Sequence, residues 1–205
     1  MLCRSVMMVD SEGNLLDGDQ LLYIIAAHRH QQGLLVGGIA GTLMTNLALE
    51  HAFKTASINF SRAKVGDRYV HEMLVENGWQ LGGENSGHIL CLDKHTSGDG
   101  IIAALQVLAA LKAQKQTLST VGKALTLYPQ VLINVPVKQR IDMNANPAIQ
   151  ASVKAAEQAL NGTGRILLRA SGTELKLRVM VEGQNGELVA KLAKQIADVV
   201  AEQAR

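Results

Sequence analysis

Short apolar runs alternate with helical periodicity through most of this chain, which favours strands and helices in turn. The apolar runs predict strands at 5–10, 34–36, 58–63, 79–81 and 89–92. Apolar residues at helical spacing predict helices over 17–32, around 47–53, over 66–77, and from Asp99 and Thr117. Such alternation is typical of a layered α/β domain with helices on both faces of the sheet.

A change of pattern follows Tyr128-Pro129. Beyond it the order is a strand at 130–137, a polar link, a helix at 147–160, two strands around a polar loop, and a helix at 185–203. That order predicts a small α+β domain with helices on one face of a mostly antiparallel sheet. The fold class expected for the whole chain is therefore α/β, a layered domain followed by a smaller α+β domain.

Composition narrows the class of protein. The chain has 205 residues, 47% hydrophobic, a net charge of +2 and 3% aromatic residues. These values give no sign of a nucleic-acid partner, since basic patches and stacking aromatics are both lacking. No run approaches the ~18 apolar residues of a membrane span. Cys3 and Cys91 are too few and too far apart for a disulfide framework, so we expect a reducing cytoplasm.

A polar loop between the strands at 79–81 and 89–92 carries the strongest chemistry of the chain. It reads Gly83-Glu84-Asn85-Ser86-Gly87-His88. Glycines allow close backbone approach to a ligand, while the carboxylate and hydroxyl of this loop suit the donor and acceptor pairs of sugar hydroxyls. The alternative is a polar hairpin loop with no ligand, and the residues alone do not separate the two.

A second loop, between the two strands of the C-terminal domain, has the composition of an anion site. It reads Arg169-Ala170-Ser171-Gly172-Thr173-Glu174. A guanidinium, two hydroxyls and a glycine amide suit a phosphate dianion. The alternative is a solvated turn with an incidental arginine, and the residues favour phosphate over that turn.

Together the two loops resemble the α-D-phosphohexomutase family. Residues 83–88 are similar to its sugar loop, Gly-Glu-x-Ser-Gly-His, in the form with Asn that bacterial phosphoglucosamine mutases carry. Residues 64–70, Lys-Val-Gly-Asp-Arg-Tyr-Val, resemble a second stretch of that subfamily. Residues 169–174 are similar to its phosphate loop, although Leu175 stands where the family usually has Pro.

The resemblance implies roles for particular residues. It assigns the sugar to Glu84, Asn85 and Ser86, with His88 and Asp67 near the same site. It assigns a phosphate group to Arg169, Ser171, Gly172 and Thr173. The reaction implied is phosphate transfer from an enzyme phosphoserine to a hexosamine phosphate, which interconverts glucosamine 6-phosphate and glucosamine 1-phosphate.

The resemblance covers domains three and four of a four-domain family. It implies a strand remnant of the preceding domain at 1–15, the sugar-binding domain at 16–127 and the phosphate-binding domain at 128–205. The family's phosphoserine domain and its magnesium loop, Asp-Gly-Asp-Gly-Asp-Arg, have no counterpart, because no carboxylate precedes Asp10. The nearby Asp17-Gly18-Asp19 is instead predicted to begin a helix.

We therefore expect a truncated phosphoglucosamine mutase that recognises its substrate and is inactive alone. No catalytic residue, metal ligand or cofactor is expected in this chain, Mg²⁺ belonging only to the intact enzyme. The expected partners are a hexosamine phosphate and a second chain carrying the missing domains, with no nucleic acid and no membrane. Two alternatives stay open, a non-catalytic phosphosugar-binding module or pseudoenzyme, and an interaction domain whose loops are vestigial.

Overall fold

The computed structural model describes residues 4–139, 142–171 and 174–204. The chain divides into two compact units, Met1–Leu127 and Tyr128–Arg205. Each unit has its own sheet and its own helices, so each is described by itself.

The first unit is a four-stranded mixed sheet with helices and an added hairpin. Its strands are β1 (Met8–Val9), β2 (Leu15–Leu16), β3 (Ile39–Thr42), β4 (Phe60–Ala63), β5 (Leu81–Gly83) and β6 (Ile89–Cys91). Its helices are α1 (Gly18–Gln31), α2 (Leu47–Thr55), α3 (Asp67–Asn77), α4 (Gly100–Gln114) and α5 (Leu118–Gly122). The sheet order is β4-β3-β5-β6, with β3 parallel to β4 and β5, and β6 antiparallel to β5, while β1 and β2 form the hairpin.

Both faces of this sheet are covered, as the alternating pattern predicted. Ala40 of β3 packs with Val70 and Leu74 of α3. Neighbouring side chains along a strand point to opposite faces, so Ile39 and Leu81 point away from α3. There α1 contacts β5 and α4 contacts β6. The α/β layered class is confirmed.

The prediction of a strand at 34–36 is wrong. Leu34 and Val36 are 63% and 48% exposed, and the strand of this region is β3, where every residue is buried. A Cβ on Gly41 would lie 2.7 Å from the Phe60 ring. Close packing therefore selects small residues in β3, and a run of small residues carries no apolar signal that a periodicity argument can detect.

The N-terminal segment also differs from its prediction. Only Met8–Val9 of the predicted 5–10 strand pairs in a β-ladder, where it forms a hairpin with β2. Ser5 and Val6 instead bond to residues of the 84–88 loop through a single bridge and one backbone hydrogen bond. Whether 1–15 belongs to a preceding domain stays a prediction.

Helix starts follow their capping residues. Asp17 caps α1 with a full capping box, in which its side chain accepts from the backbone N–H groups of Asp19 and Gln20. Asp99 caps α4 with its side chain alone, which accepts from the backbone N–H groups of Ile101 and Ile102. The prediction that Asp17 begins a helix is confirmed.

The second unit is an antiparallel sheet with two helices. Its elements are β7 (Gln130–Pro136), α6 (Pro147–Leu160), β8 (Gly164–Ala170), β9 (Lys176–Gly183) and α7 (Gly186–Gln203). The sheet order is β7-β9-β8, with both pairings antiparallel. Leu177, Val179 and Val181 of β9 share one buried cluster with residues of α6 and α7, including Ile149 and Ile196. Both helices therefore cover one face, which confirms the predicted α+β domain.

Among the described residues, no helix combines the length and the apolar character needed to cross a bilayer.

Candidate functional site

The 84–88 loop joins β5 to β6 as a compact turn. The Glu84 N–H donates to the His88 carbonyl at 3.0 Å, and the Gly87 N–H donates to the Glu84 carbonyl at 3.0 Å. Gly87 has φ of +87°, a left-handed conformation that L side chains rarely adopt. The sequence thus folds this stretch into one defined shape.

The backbones of two other segments contact the backbone of this loop. The Gly18 N–H at the start of α1 donates to the Asn85 carbonyl at 3.0 Å, and the Val6 N–H donates to the Gly87 carbonyl at 2.9 Å. A Cβ on Gly18 would lie 2.0 Å from the Glu84 carbonyl oxygen, and one on Gly87 would lie 2.1 Å from that of Val6. Only glycine permits such close approach, so Gly18 and Gly87 allow the three backbone segments to pack tightly together.

Glu84 ties the loop to the start of α3. Its Oε1 accepts a hydrogen bond from the Gly66 N–H at 2.9 Å, and Gly66 is the N-cap residue of α3, where no side chain supplies the cap. Within the part of the chain that the structure describes, Oε2 of Glu84 accepts no hydrogen bond. One carboxylate oxygen is therefore structural and the other is available to a ligand.

The structure brings the remaining predicted sugar residues to the same place. His88 is buried, and its Nε2 lies 3.8 Å from Oδ2 of Asp67, which is also 3.9 Å from Nη1 of Arg4. Both distances are longer than a hydrogen bond. The side chains of Asn85 and Ser86 make no hydrogen bond to other described residues. Carboxylate, imidazole, amide and hydroxyl groups thus belong to this loop and the adjoining start of α3, a set that can pair with neighbouring sugar hydroxyls.

The predicted phosphate loop lies between β8 and β9. Arg169 is near the end of β8, and Ser171 is buried. The Ser171 N–H donates to the Lys176 carbonyl at 2.9 Å, and its Oγ accepts from the Glu174 N–H at 3.3 Å. Gly172 and Thr173 lie outside the described residues.

A second arginine beside this loop escaped the sequence analysis. Arg178 of β9 lies directly opposite Arg169 of β8. Burial, followed by the charge of Arg178, lowers the pKa of Arg169. The Nε of Arg178 is buried and has no hydrogen-bond partner within the described chain. Like charges opposite each other destabilise a sheet, so this pair favours an anion that neutralises both.

The sequence held a signal for Arg178. In an antiparallel hairpin, residues equally distant from the loop face each other. Ala170 pairs with Leu177, so the next pair outward is Arg169 with Arg178. The alternation of side chains along β9 also indicates Arg178, because this residue stands between the buried residues Leu177 and Val179.

The other end of the same hairpin has balanced charge. Arg165 pairs across the strands with Glu182, which is fully buried, and the two side chains form an ion pair. Gln130 of β7 donates a further hydrogen bond to Glu182 at 2.9 Å. Only the loop end of the hairpin, among the described residues, places two arginines opposite each other.

Family models match both units. Residues 17–128 match the phosphoglucomutase/phosphomannomutase alpha/beta/alpha domain III, and residues 132–199 match the C-terminal domain of that family. The chain belongs to the phosphoglucomutase/phosphomannomutase family. The resemblance carried by the two loops is thereby confirmed, with domains three and four as the part represented.

Relatives in bacteria carry a more specific name. The chain is 69% identical to a phosphoglucosamine mutase of Methylobacillus flagellatus over 97% of its length, and 58% identical to one of Nitrosospira multiformis over 95%. It spans 44% and 42% of those two proteins, which is less than half of each.

Solved structures support the fold. An N-acetylphosphoglucosamine mutase of Aspergillus fumigatus in complex with GlcNAc-6P and magnesium matches with a TM-score of 0.81 at 22% identity, covering 97% of this chain and 46% of that one. An N-acetylglucosamine-phosphate mutase in its substrate complex matches at 0.79 and 20%, covering 97% and 47%. At such identity the likeness concerns the fold alone.

Proposed function

We propose that this chain provides the sugar and phosphate recognition of a phosphoglucosamine mutase, which interconverts glucosamine 6-phosphate and glucosamine 1-phosphate. The observation that carries the proposal is the Arg169–Arg178 pair, two guanidiniums on neighbouring strands that face each other beside a loop of hydroxyl and amide donors. Bacterial relatives named phosphoglucosamine mutase support the choice of hexosamine.

The phosphate group is proposed to bind at the β8–β9 loop. Arg169 and Arg178 supply charge-assisted hydrogen bonds, each contributing about 1.5–3 kcal/mol, and Ser171 adds its hydroxyl. Gly172 and Thr173 remain predicted members of the same site. Arginine suits this role because its planar fork matches two phosphate oxygens at once.

The sugar is proposed to bind at the 84–88 loop. Oε2 of Glu84 accepts from a ring hydroxyl, while Asn85 and Ser86 can donate or accept. His88, whose Nε2 lies 3.8 Å from Oδ2 of Asp67, offers a ring nitrogen to the same sugar.

We assign no step of phosphate transfer to this chain. Ser5 and Val6 occupy the stretch before β1, and neither offers a carboxylate, so these residues do not fit the oxygen ligands that Mg²⁺ requires. We propose that the 205 residues bind phosphosugar without turning it over. A cytoplasmic location is proposed with this role.

Calorimetric titration of the 205-residue chain with glucosamine 6-phosphate tests recognition. We expect saturable binding that is lost with unphosphorylated glucosamine and weakened about tenfold or more in Arg169→Ala. Arg68→Ala is the matched control, since Arg68 is exposed and pairs with Glu72 on its own helix. A wild-type chain with no phosphate-dependent heat would overturn the proposal.

The alternative role is a non-catalytic phosphosugar-binding module. Mixing the chain with the N-terminal part of the Methylobacillus flagellatus protein separates the two. Restored interconversion supports a recognition half of a mutase. Binding without restored turnover supports the module.

A further inference from the structure

A cavity of about 190 Å³ lies at the end of α1 far from the sugar loop. It is formed by α1, α4, Leu34 and the turn after β6. Gly18 at the start of α1 touches the 84–88 loop, whereas His28 and Arg29 near its end line the cavity. At 1.5 Å per residue the two ends are about 16 Å apart, so the cavity is separate from the site described above.

The polar wall of this cavity has an unbalanced positive charge. Arg29 is 6% exposed and donates through Nη1 to Oδ1 of Asp93 at 3.0 Å. Lys94 Nζ lies 3.1 Å from the other oxygen, Oδ2 of Asp93. Burial alone would raise the pKa of Asp93, but the hydrogen bonds and charges of Lys94 and Arg29 outweigh it and lower that pKa. Two cations thus face one ionised carboxylate.

Hydrogen-bonding capacity left in this wall consists mainly of donors. Both oxygens of Asp93 are engaged, and Oε1 of Gln106 accepts from Arg29 Nη2 at 3.0 Å. The Gln106 amide N–H groups have no acceptor among the described residues, and an ammonium such as that of Lys94 has three donors. A ligand here must therefore bring acceptors.

His28 adds an unsatisfied buried nitrogen. Its Nδ1 is buried and has no hydrogen-bond partner within the described chain. Leaving such a group unpaired costs free energy, because the nitrogen has lost its hydrogen bond to water and has gained none in the protein. A bound acceptor can remove that cost, because the imidazole can carry its proton on Nδ1.

The rest of the lining is apolar and the space is small. Ile25, Leu34 and Ala109 form this part, and the volume corresponds to about six water molecules at ~30 Å³ each. We propose that the cavity is a binding site for a small carboxylate with a short branched apolar group. The carboxylate meets Lys94, Gln106 and His28, and the apolar group packs on Ile25, Leu34 and Ala109.

NMR titration of the isotopically labelled full chain with isovalerate tests this site. We expect saturable shifts of the Gln106 side-chain amide, the His28 ring and the Leu34 methyl groups, with the 84–88 amides unmoved. Isovaleramide has the same shape without the charge, and we expect it to bind at least tenfold more weakly.

Paired variants separate the site from general charge effects. Lys94→Gln should weaken isovalerate binding about tenfold, while Lys112→Gln, an exposed lysine of α4, should leave it unchanged. Both lysines are exposed, so neither change threatens the fold. Unsaturable shifts, equal binding of the amide, or equal effects of the two variants would overturn the proposal.

Discussion

The sugar loop and the phosphate hairpin are built on different physical principles. Around residues 84–88, three segments meet backbone to backbone, and a Cβ at Gly18 would stand 2.0 Å from a carbonyl oxygen. At the β8–β9 loop the framework is an ordinary antiparallel ladder, and the unusual feature is Arg169 facing Arg178. One region is specified by shape and the loop end of the other by charge, so substitutions should affect stability at Gly18 and ligand affinity at Arg169 and Arg178.

The largest effect on stability is expected from the ion pair of Arg165 and Glu182 at the far end of the hairpin. Arg165→Met leaves Glu182 fully buried without its cation, which should destabilise the second unit by about 3–5 kcal/mol. Hydrogen exchange of the β7, β8 and β9 amides measures this loss. Arg68→Met removes an exposed arginine and should leave the same amides protected. Unchanged protection in Arg165→Met would mean that the buried pair does not stabilise this sheet.

The packed region is tested by Gly18→Ala. The added Cβ meets backbone atoms of Glu84 and Gly87 that cannot move independently, so we expect the first unit to lose about 2–4 kcal/mol and the loop to shift. Urea unfolding followed by Trp79 fluorescence reports this unit, since Trp79 is the chain's single tryptophan.

Gly78→Ala serves as the control for Gly18→Ala. Gly78 has φ of +66° and open space around its Cβ position, so its cost is only the ~1–2 kcal/mol of a left-handed residue. Equal losses in the two variants would contradict the idea that close approach shapes the sugar loop.

What the sequence predicted follows the same division. The loop chemistry at Glu84 and Arg169 was readable, because residue types carry it directly. The close approach at Gly18 could not be predicted from the sequence, because its partners Glu84 and Gly87 are remote in the sequence and no local pattern links them. The strand β3 was missed for a related reason, as Phe60 packs where a larger side chain at Gly41 of β3 would otherwise stand.

A smaller effect, on affinity alone, is expected from Arg178→Met. Removing one guanidinium should weaken binding of inorganic phosphate or glucosamine 6-phosphate by about 1.5–3 kcal/mol, roughly 10- to 150-fold. Because like charges no longer face each other, the unliganded second unit should be as stable as the wild type or more so. Calorimetry and hydrogen exchange give the two quantities. Lower stability with unchanged affinity would reverse the assignment of this arginine to the ligand.

The smallest effect on stability is expected from the charge of Asp17, the residue that caps the start of α1. Burial raises the pKa of Asp17 above 3.8, outweighing its hydrogen bonds from Gln20 and Asp19. The folded chain therefore binds this proton more tightly than the unfolded chain, so the Asp17 contribution to stability falls as pH rises from 3.8 through the raised value. Asn caps helices equally well and does not titrate, so Asp17→Asn at neutral pH should be as stable or slightly more stable, by less than ~1 kcal/mol.

Asp10→Asn gives the opposite sign and so completes the test of Asp17. The side-chain hydrogen bond from Asn14 is the main cause that lowers the pKa of Asp10. Its ionised form thus stabilises the β1–β2 turn above pH 3.8, and that contribution is lost as pH falls through the lowered value. Asp10→Asn should cost stability at neutral pH and approach the wild type in acid, whereas Asp17→Asn should lose its advantage there. Urea midpoints of both variants between pH 3 and 7 measure this. Parallel pH profiles would show that charge does not distinguish the packed start of α1 from an exposed turn.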